Sequence, residues 1–142
     1  MNRILLSLTL FAAACGTTSD AAPATKQAQA PSDHDTCVAV FTKNRTCTDE
    51  FIPALVDARA RLDKPAGIRD AVAHDRDGVI AQAKTEWAED SKDLAIAQTC
   101  QRIVSAAPDP ADAEASRACL AKQACGEFVA CIAPVFEKHL AK

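Results

Sequence analysis

Apolar positions recur every three or four residues along most of this chain, and no stretch shows the strict alternation of a strand. Val38 and Phe41, with Cys37 beside them, predict a first helix over residues 34–44. Asn44-Arg45-Thr46-Cys47-Thr48 interrupts it. Thr48 is a suitable N-cap for a second helix, with Asp49 and Glu50 in the first turn complementing its dipole. Phe51, Ile52, Leu55, Val56 and Leu62 carry that helix to about residue 62, and Pro53 is tolerated near its start. After the turn Asp63-Lys64-Pro65-Ala66-Gly67, a short helix bearing Ile68, Ala71 and Val72 runs to His74. His74-Asp75-Arg76-Asp77-Gly78 punctuates again. Val79, Ile80, Ala83 and Trp87 form the next apolar face. Asp90-Ser91 puts polar residues on that face, which predicts a break between two helices over 77–107 rather than one long helix.

Ile96, Ala97, Cys100, Ile103 and Val104 continue the period until Pro108-Asp109-Pro110 stops it. Asp109 can cap the following helix, with Pro110 at its first position. That helix is alanine-rich and weakly apolar, with Ala113 and Leu120, so it is expected on the surface, held by Cys119. A turn at Gln123–Gly126 leads to the most clearly patterned helix, which carries Phe128, Val129, Ile132, Val135, Phe136 and Leu140. Pro134 is expected to kink it. The fold class is therefore all-α: one small disulfide-stapled bundle of roughly five to seven short helices over 34–142.

Composition makes staples necessary. Aromatics are only 4% of the chain and alanine supplies much of its apolar content, so the large anchors reduce to Phe41, Phe51, Trp87, Phe128 and Phe136. Such a core buries little apolar area per residue. Seven cysteines are available to compensate. Within the domain, Cys37, Cys47, Cys100, Cys119, Cys125 and Cys131 are the candidates for disulfides. On a straight helix Cys125 and Cys131 would lie about 9 Å apart along the axis, beyond disulfide reach, and the ten-residue step from Cys37 to Cys47 is excluded likewise. Of the 15 connectivities open to six cysteines, these exclusions leave about 10. The preferred set is Cys100–Cys119, Cys37–Cys131 and Cys47–Cys125, from an antiparallel approach of the first and last helices. Cys119, Cys125 and Cys131 would then reach three different partners.

Ahead of the domain, residues 1–14 read as an export signal. Arg3 supplies the positive end, Ile4–Phe11 the apolar core and Ala12-Ala13-Ala14 the small residues a peptidase needs. The apolar run is about 11 residues, short of the roughly 20 that span a bilayer. With Cys15 and Gly16 following, residues 1–16 resemble the bacterial lipoprotein signal. That resemblance implies cleavage before Cys15 and a diacylglycerol on its sulfur. Gly16, where the family uses Asp for retention at the inner membrane, implies the outer membrane. Lipidating Cys15 leaves an even six cysteines. Ordinary secretion with cleavage at the same alanines is the alternative. Residues 16–33 hold no large apolar residue and form a disordered tether, which would keep the domain on the order of 20–25 Å from the membrane. The Cys37-x9-Cys47 spacing resembles half of the twin Cys-x9-Cys helical hairpins, but the six-residue steps at the far end depart from that pattern. The whole domain is similar to small cysteine-bearing helical proteins exported by bacteria, a resemblance that implies no activity.

Net charge is −3, or −4 without the first 14 residues, which argues against nucleic acid as a partner. No Cys-x-x-Cys, P-loop, dinucleotide-binding, zincin or serine-hydrolase motif occurs, so no catalytic residue, cofactor or metal ligand is nominated. Three near-motifs occur. Cys119, Cys125 and Cys131 could converge on zinc only if the chain turns at Gly126, with His34, His74 and His139 scattered. Asp75-x-Asp77-Gly78 resembles the middle of an EF-hand loop, but Ala73 and Lys84 stand at its first and twelfth places. Cys125 near a helix start could be a reactive thiol. Acidic pairs such as Glu89/Asp90 read as solvated surface. The expectation is a lipid-anchored envelope protein acting as a non-enzymatic binding or structural module, with the membrane and an envelope protein as partners. A cysteine-based metal or redox domain and an unrecognised envelope enzyme are the alternatives.

Overall fold

The computed structural model describes residues 31–141; the expected export signal, Cys15 and the expected tether up to residue 30 lie outside them. Six helices and no strand are found among the described residues: α1 Asp33–Thr46, α2 Thr48–Leu62, α3 Ile68–Asp90, α4 Asp93–Ser105, α5 Pro110–Leu120 and α6 Cys125–Leu140. The chain is an all-α, disulfide-stapled bundle, as the apolar periodicity implies.

Local chemistry sets most of the boundaries. Ser32 caps α1 by accepting the Asp35 N–H at 3.1 Å. α1 runs two residues past its expected end, so Cys47 alone separates it from α2. Thr48, expected to be the cap, is instead the first residue of α2. Its hydroxyl turns back and donates to the Arg45 carbonyl at 2.6 Å, satisfying an acceptor that the one-residue hinge leaves exposed. Asp63, in the left-handed conformation at the end of α2, accepts from the N–H groups of Gly67 and Arg69 and so joins α2 to α3. Gly67 has a φ of 89°, which only glycine adopts without strain.

The expected break at residues 74–78 is a kink inside α3. Asp75 leaves helical geometry (φ −149°, ψ 78°), and its carboxylate accepts the Gly78 N–H at 2.9 Å, restarting the helix as an internal cap. The break at Ser91 is present, so residues 77–107 form parts of two helices. Asp109 accepts the Ala111 N–H at 2.9 Å, with Pro110 as the first residue of α5. α6 passes through Pro134 unbroken, with that residue on its exposed side.

The core gathers Val40 from α1; Phe51, Ile52 and Val56 from α2; Cys119 from α5; and Phe128, Val129 and Ile132 from α6. Phe128 is fully buried. Four of the five expected aromatic anchors close a ring of contacts. Phe41 meets Trp87 and Phe136 at 6.2 Å each, and Phe51 meets the same two at 5.3 and 5.4 Å. α3 has no fully buried residue. It lays Val72, Val79, Ile80, Ala83 and Trp87 over the outside of this core.

Candidate functional site

All six cysteines of the described residues are in disulfides: Cys37–Cys100, Cys47–Cys125 and Cys119–Cys131. Cys47–Cys125 is the pairing preferred from the sequence, and the other two correct it. The preference assumed that α1 and α6 approach each other along their length. In the structure α1 packs mainly on α4 and α5, and α6 mainly on α2 and α5. α5 therefore lies against both. Cys131 on α6 meets Cys119 on α5, and Cys37 on α1 meets Cys100 on α4. The stretch from Cys119 to Cys131 accordingly has one internal staple and one outward link through Cys125 to Cys47. Cys125 is the first residue of α6, where a thiolate would be stabilised by the helix dipole, but its sulfur is bonded.

Disulfides of this kind form and persist in oxidising, exported compartments. No helix among the described residues is long and apolar enough to cross a membrane.

A small cavity lies between α1, α4, α5 and α6, with a volume of about 120 Å³. Its wall is mostly apolar: Val40, Phe41, Val104, Ala113, Val135 and Phe136. The Cys37–Cys100 disulfide contributes Cys37 to that wall and ties α1 to α4. The ionisable groups in the lining are Asp33, Asp112 and His139.

Asp112 sits in the third position of α5, placed there by the Asp109-Pro110 start. Its Oδ1 accepts from Lys138 Nζ at 2.8 Å, and the same ammonium donates to Asp109 Oδ2 at 2.8 Å. The Lys138 hydrogen bond holds the Asp112 carboxyl below the usual carboxylate range against a smaller opposing effect of desolvation. The hydrogen bonds from Lys138 to Asp109 and Asp112 raise the lysine in turn. The second oxygen, Asp112 Oδ2, lies 3.0 Å from His139 Nε2, yet it is buried and has no aligned donor. Ser116 shares the wall one turn beyond Asp112, but no hydrogen bond links it to His139.

Nothing in the sequence announced this site. Asp112 and His139 belong to different helices, and His139 is one of three histidines scattered along the sequence. The i, i+4 relation of Asp112 and Ser116 was its only visible trace. The residues of the other near-motifs and acidic pairs lie elsewhere. Asp75 is engaged as the α3 internal cap, and Glu89 pairs with Lys92 on the surface. Among the described residues no group of three or more His, Cys, Asp or Glu side chains could hold a metal ion.

Fold and site together define a class: a disulfide-stapled domain, six-helical over the described residues, with a small apolar cavity whose lining carries acidic groups. Comparison with protein families, with curated proteins and with solved structures finds no match to this chain.

Proposed function

We propose that the chain is an exported lipoprotein, cut before Cys15 and acylated on its sulfur, and held at the bacterial cell envelope, at the outer membrane, as a non-enzymatic binding or structural module. The observation that carries this reading is the cysteine arithmetic. Three disulfides account for six cysteines, and Cys15 is the seventh, placed behind an export signal with small residues before it. An odd cysteine in an exported protein calls for a chemical role, and acylation supplies one. The staples also support a module that keeps its shape outside the cell with a small core. The cavity supports binding as part of its role.

The mature protein recovered from envelopes tests this. Its mass is expected to equal the chain from Cys15 plus acyl groups, and a thiol titration in denaturant is expected to find no free thiol. Cys15→Ser should abolish acylation and move the protein out of the membrane fraction. An intact Met1 or an unmodified Cys15 in the mature protein would refute the anchor. Free thiols that zinc protects would replace the disulfide reading with the metal one.

A further inference from the structure

We propose that the cavity between α1, α4, α5 and α6 binds a small amphipathic amine, its branched or cyclic hydrocarbon body inside and its ammonium against Asp112. This deepens the binding-module reading and rests on that reading alone, not on the lipid anchor.

Size sets the first limit. At about 120 Å³ the cavity is slightly smaller than the engineered apolar cavity of about 150 Å³ that takes up benzene, so it suits a body of about five or six carbons. An acyl chain or a peptide helix is too large. The wall sets the second limit. Val40, Val104, Val135 and Phe136 offer dispersion contacts and no hydrogen bonds, which selects hydrocarbon.

Charge and orphaned oxygens set the third. The lining holds two carboxylates and one imidazole, with no lysine or arginine. Arg117 and Lys138 already occupy one oxygen each of Asp33 and Asp112 from outside the lining. Two buried oxygens of lining residues have no aligned hydrogen-bond donor: Asp112 Oδ2, whose nearest is His139 Nε2 at 3.0 Å, and Thr36 Oγ1. Thr36 is only 3% exposed. A buried acceptor left without a donor is costly, and such atoms in a native fold call for an explanation. An ammonium is a donor with up to three N–H groups, and it carries the sign that the lining favours. His139, on the exposed side of the site and 3.0 Å from Asp112 Oδ2 without alignment, is the side chain that would swing aside to admit it. A carboxylate or phosphate ligand would bring a further acceptor to Asp112 Oδ2 and no donor for it.

The test is a titration of the exported protein, disulfides intact, with three probes of one shape: isopentylammonium, isopentanol and 4-methylpentanoate. Binding is read by amide and methyl NMR shifts. The ammonium is expected to shift Val104, Val135 and Ala113, and to bind at least about tenfold more tightly than the alcohol, with the carboxylate weakest. Asp112→Asn is expected to bring the ammonium down to the alcohol's affinity and leave the alcohol unchanged. Thr36→Val, which keeps the shape, should weaken the ammonium by a smaller factor. The three-probe comparison is made on the unaltered protein, so a folding defect in either variant leaves it standing.

Equal binding of ammonium and alcohol would overturn the amine assignment while leaving a binding module. Preferred binding of the carboxylate would do the same. No shift with any probe at tens of millimolar would overturn the site itself, leaving the orphaned oxygens to water. Acylation of Cys15 is read independently by mass, so failure of the anchor and failure of the site are distinguishable.

Discussion

Cys119, in the last turn of the weakly apolar α5, is bonded to Cys131 on the helix that follows it, with their Cα atoms 5.5 Å apart across a separation of 12 residues. The bond folds α5 back on α6 and places Asp112 against Lys138 and His139. The other two staples work at longer range. Cys37–Cys100 closes 63 residues and Cys47–Cys125 closes 78. The short staple therefore sets the α5–α6 side of the site, Cys37–Cys100 ties its α1 and α4 walls, and Cys47–Cys125 links the α1–α2 hinge to the start of α6.

Removing the staples one at a time should show that division. By loop-closure entropy, opening Cys119–Cys131 costs about 3 kcal/mol, and opening either long disulfide costs about 4–4.5 kcal/mol. Paired Cys→Ser variants compared by urea denaturation check the order. The long-range variants are expected to have the lower midpoints. A Cys119/Cys131 variant that is the least stable of the three would contradict the assignment of roles.

How much of this was legible beforehand depended on range. Pro108-Asp109-Pro110 and Asp90-Ser91 mark helix ends because capping and the lost proline N–H act within one turn. Asp75 was readable as punctuation, but not as a kink that keeps the helix going, because that outcome depends on its carboxylate reaching Gly78. The cysteine pairing failed at the next level. Periodicity says that α1, α5 and α6 each have an apolar face, but not that α5 lies against both of the others. Once it does, Cys131 has Cys119 as its neighbour. The Asp112–His139 approach was hidden for the same reason, since it requires the α5–α6 packing first.

Lys43 offers a second prediction. Its ammonium donates to the Leu120 carbonyl at 3.0 Å and to that of Lys122, and it lies 4.8 Å from the centre of the Phe128 ring. A cation from α1 thus serves the carbonyl end of α5, where the helix dipole favours it. Lys43→Met keeps the length of the stem and removes the donor. It is expected to cost about 1–2 kcal/mol in denaturant unfolding. Hydrogen exchange should quicken most at the last turn of α5. Unchanged protection there would remove the capping role.

The aromatic ring has its own reporter, because Trp87 is the only tryptophan. Phe51 is buried and touches both Trp87 and Phe136. Phe51→Ala should destabilise the fold by about 3–5 kcal/mol, and Phe51→Leu by about 1–1.5 kcal/mol. In the leucine variant, Trp87 emission is expected to shift to longer wavelength in the folded state as water reaches the indole. Phe128→Leu also opens the core, but the rings that meet Trp87 are Phe41 and Phe51, so it should destabilise with little change in emission.

Acid stability follows from the carboxylates that cations hold down. Asp57 receives two bonds of 2.9 Å from the Arg76 guanidinium, linking α2 to α3, and this pairing lowers its carboxyl below the usual range. Lys84 does the same for Asp49, and Lys138 for Asp112. In each case the folded state holds the proton less tightly than the unfolded one. Their stabilisation is therefore fully present above the unfolded carboxylate range, at about pH 4, and is lost as pH falls through the lowered values. The melting temperature is expected to be flat in this respect from about pH 7 to pH 5, and to fall below about pH 4. Because Asp57 and Arg76 are both well exposed, their pair is screened and its share of the fall is modest. Asp57→Asn should melt slightly lower than the unaltered protein at neutral pH. The two melting curves should then converge as acid removes the charge that the variant already lacks. Curves that stay parallel to about pH 2 would show that the Asp57–Arg76 pair contributes nothing to the acid limb.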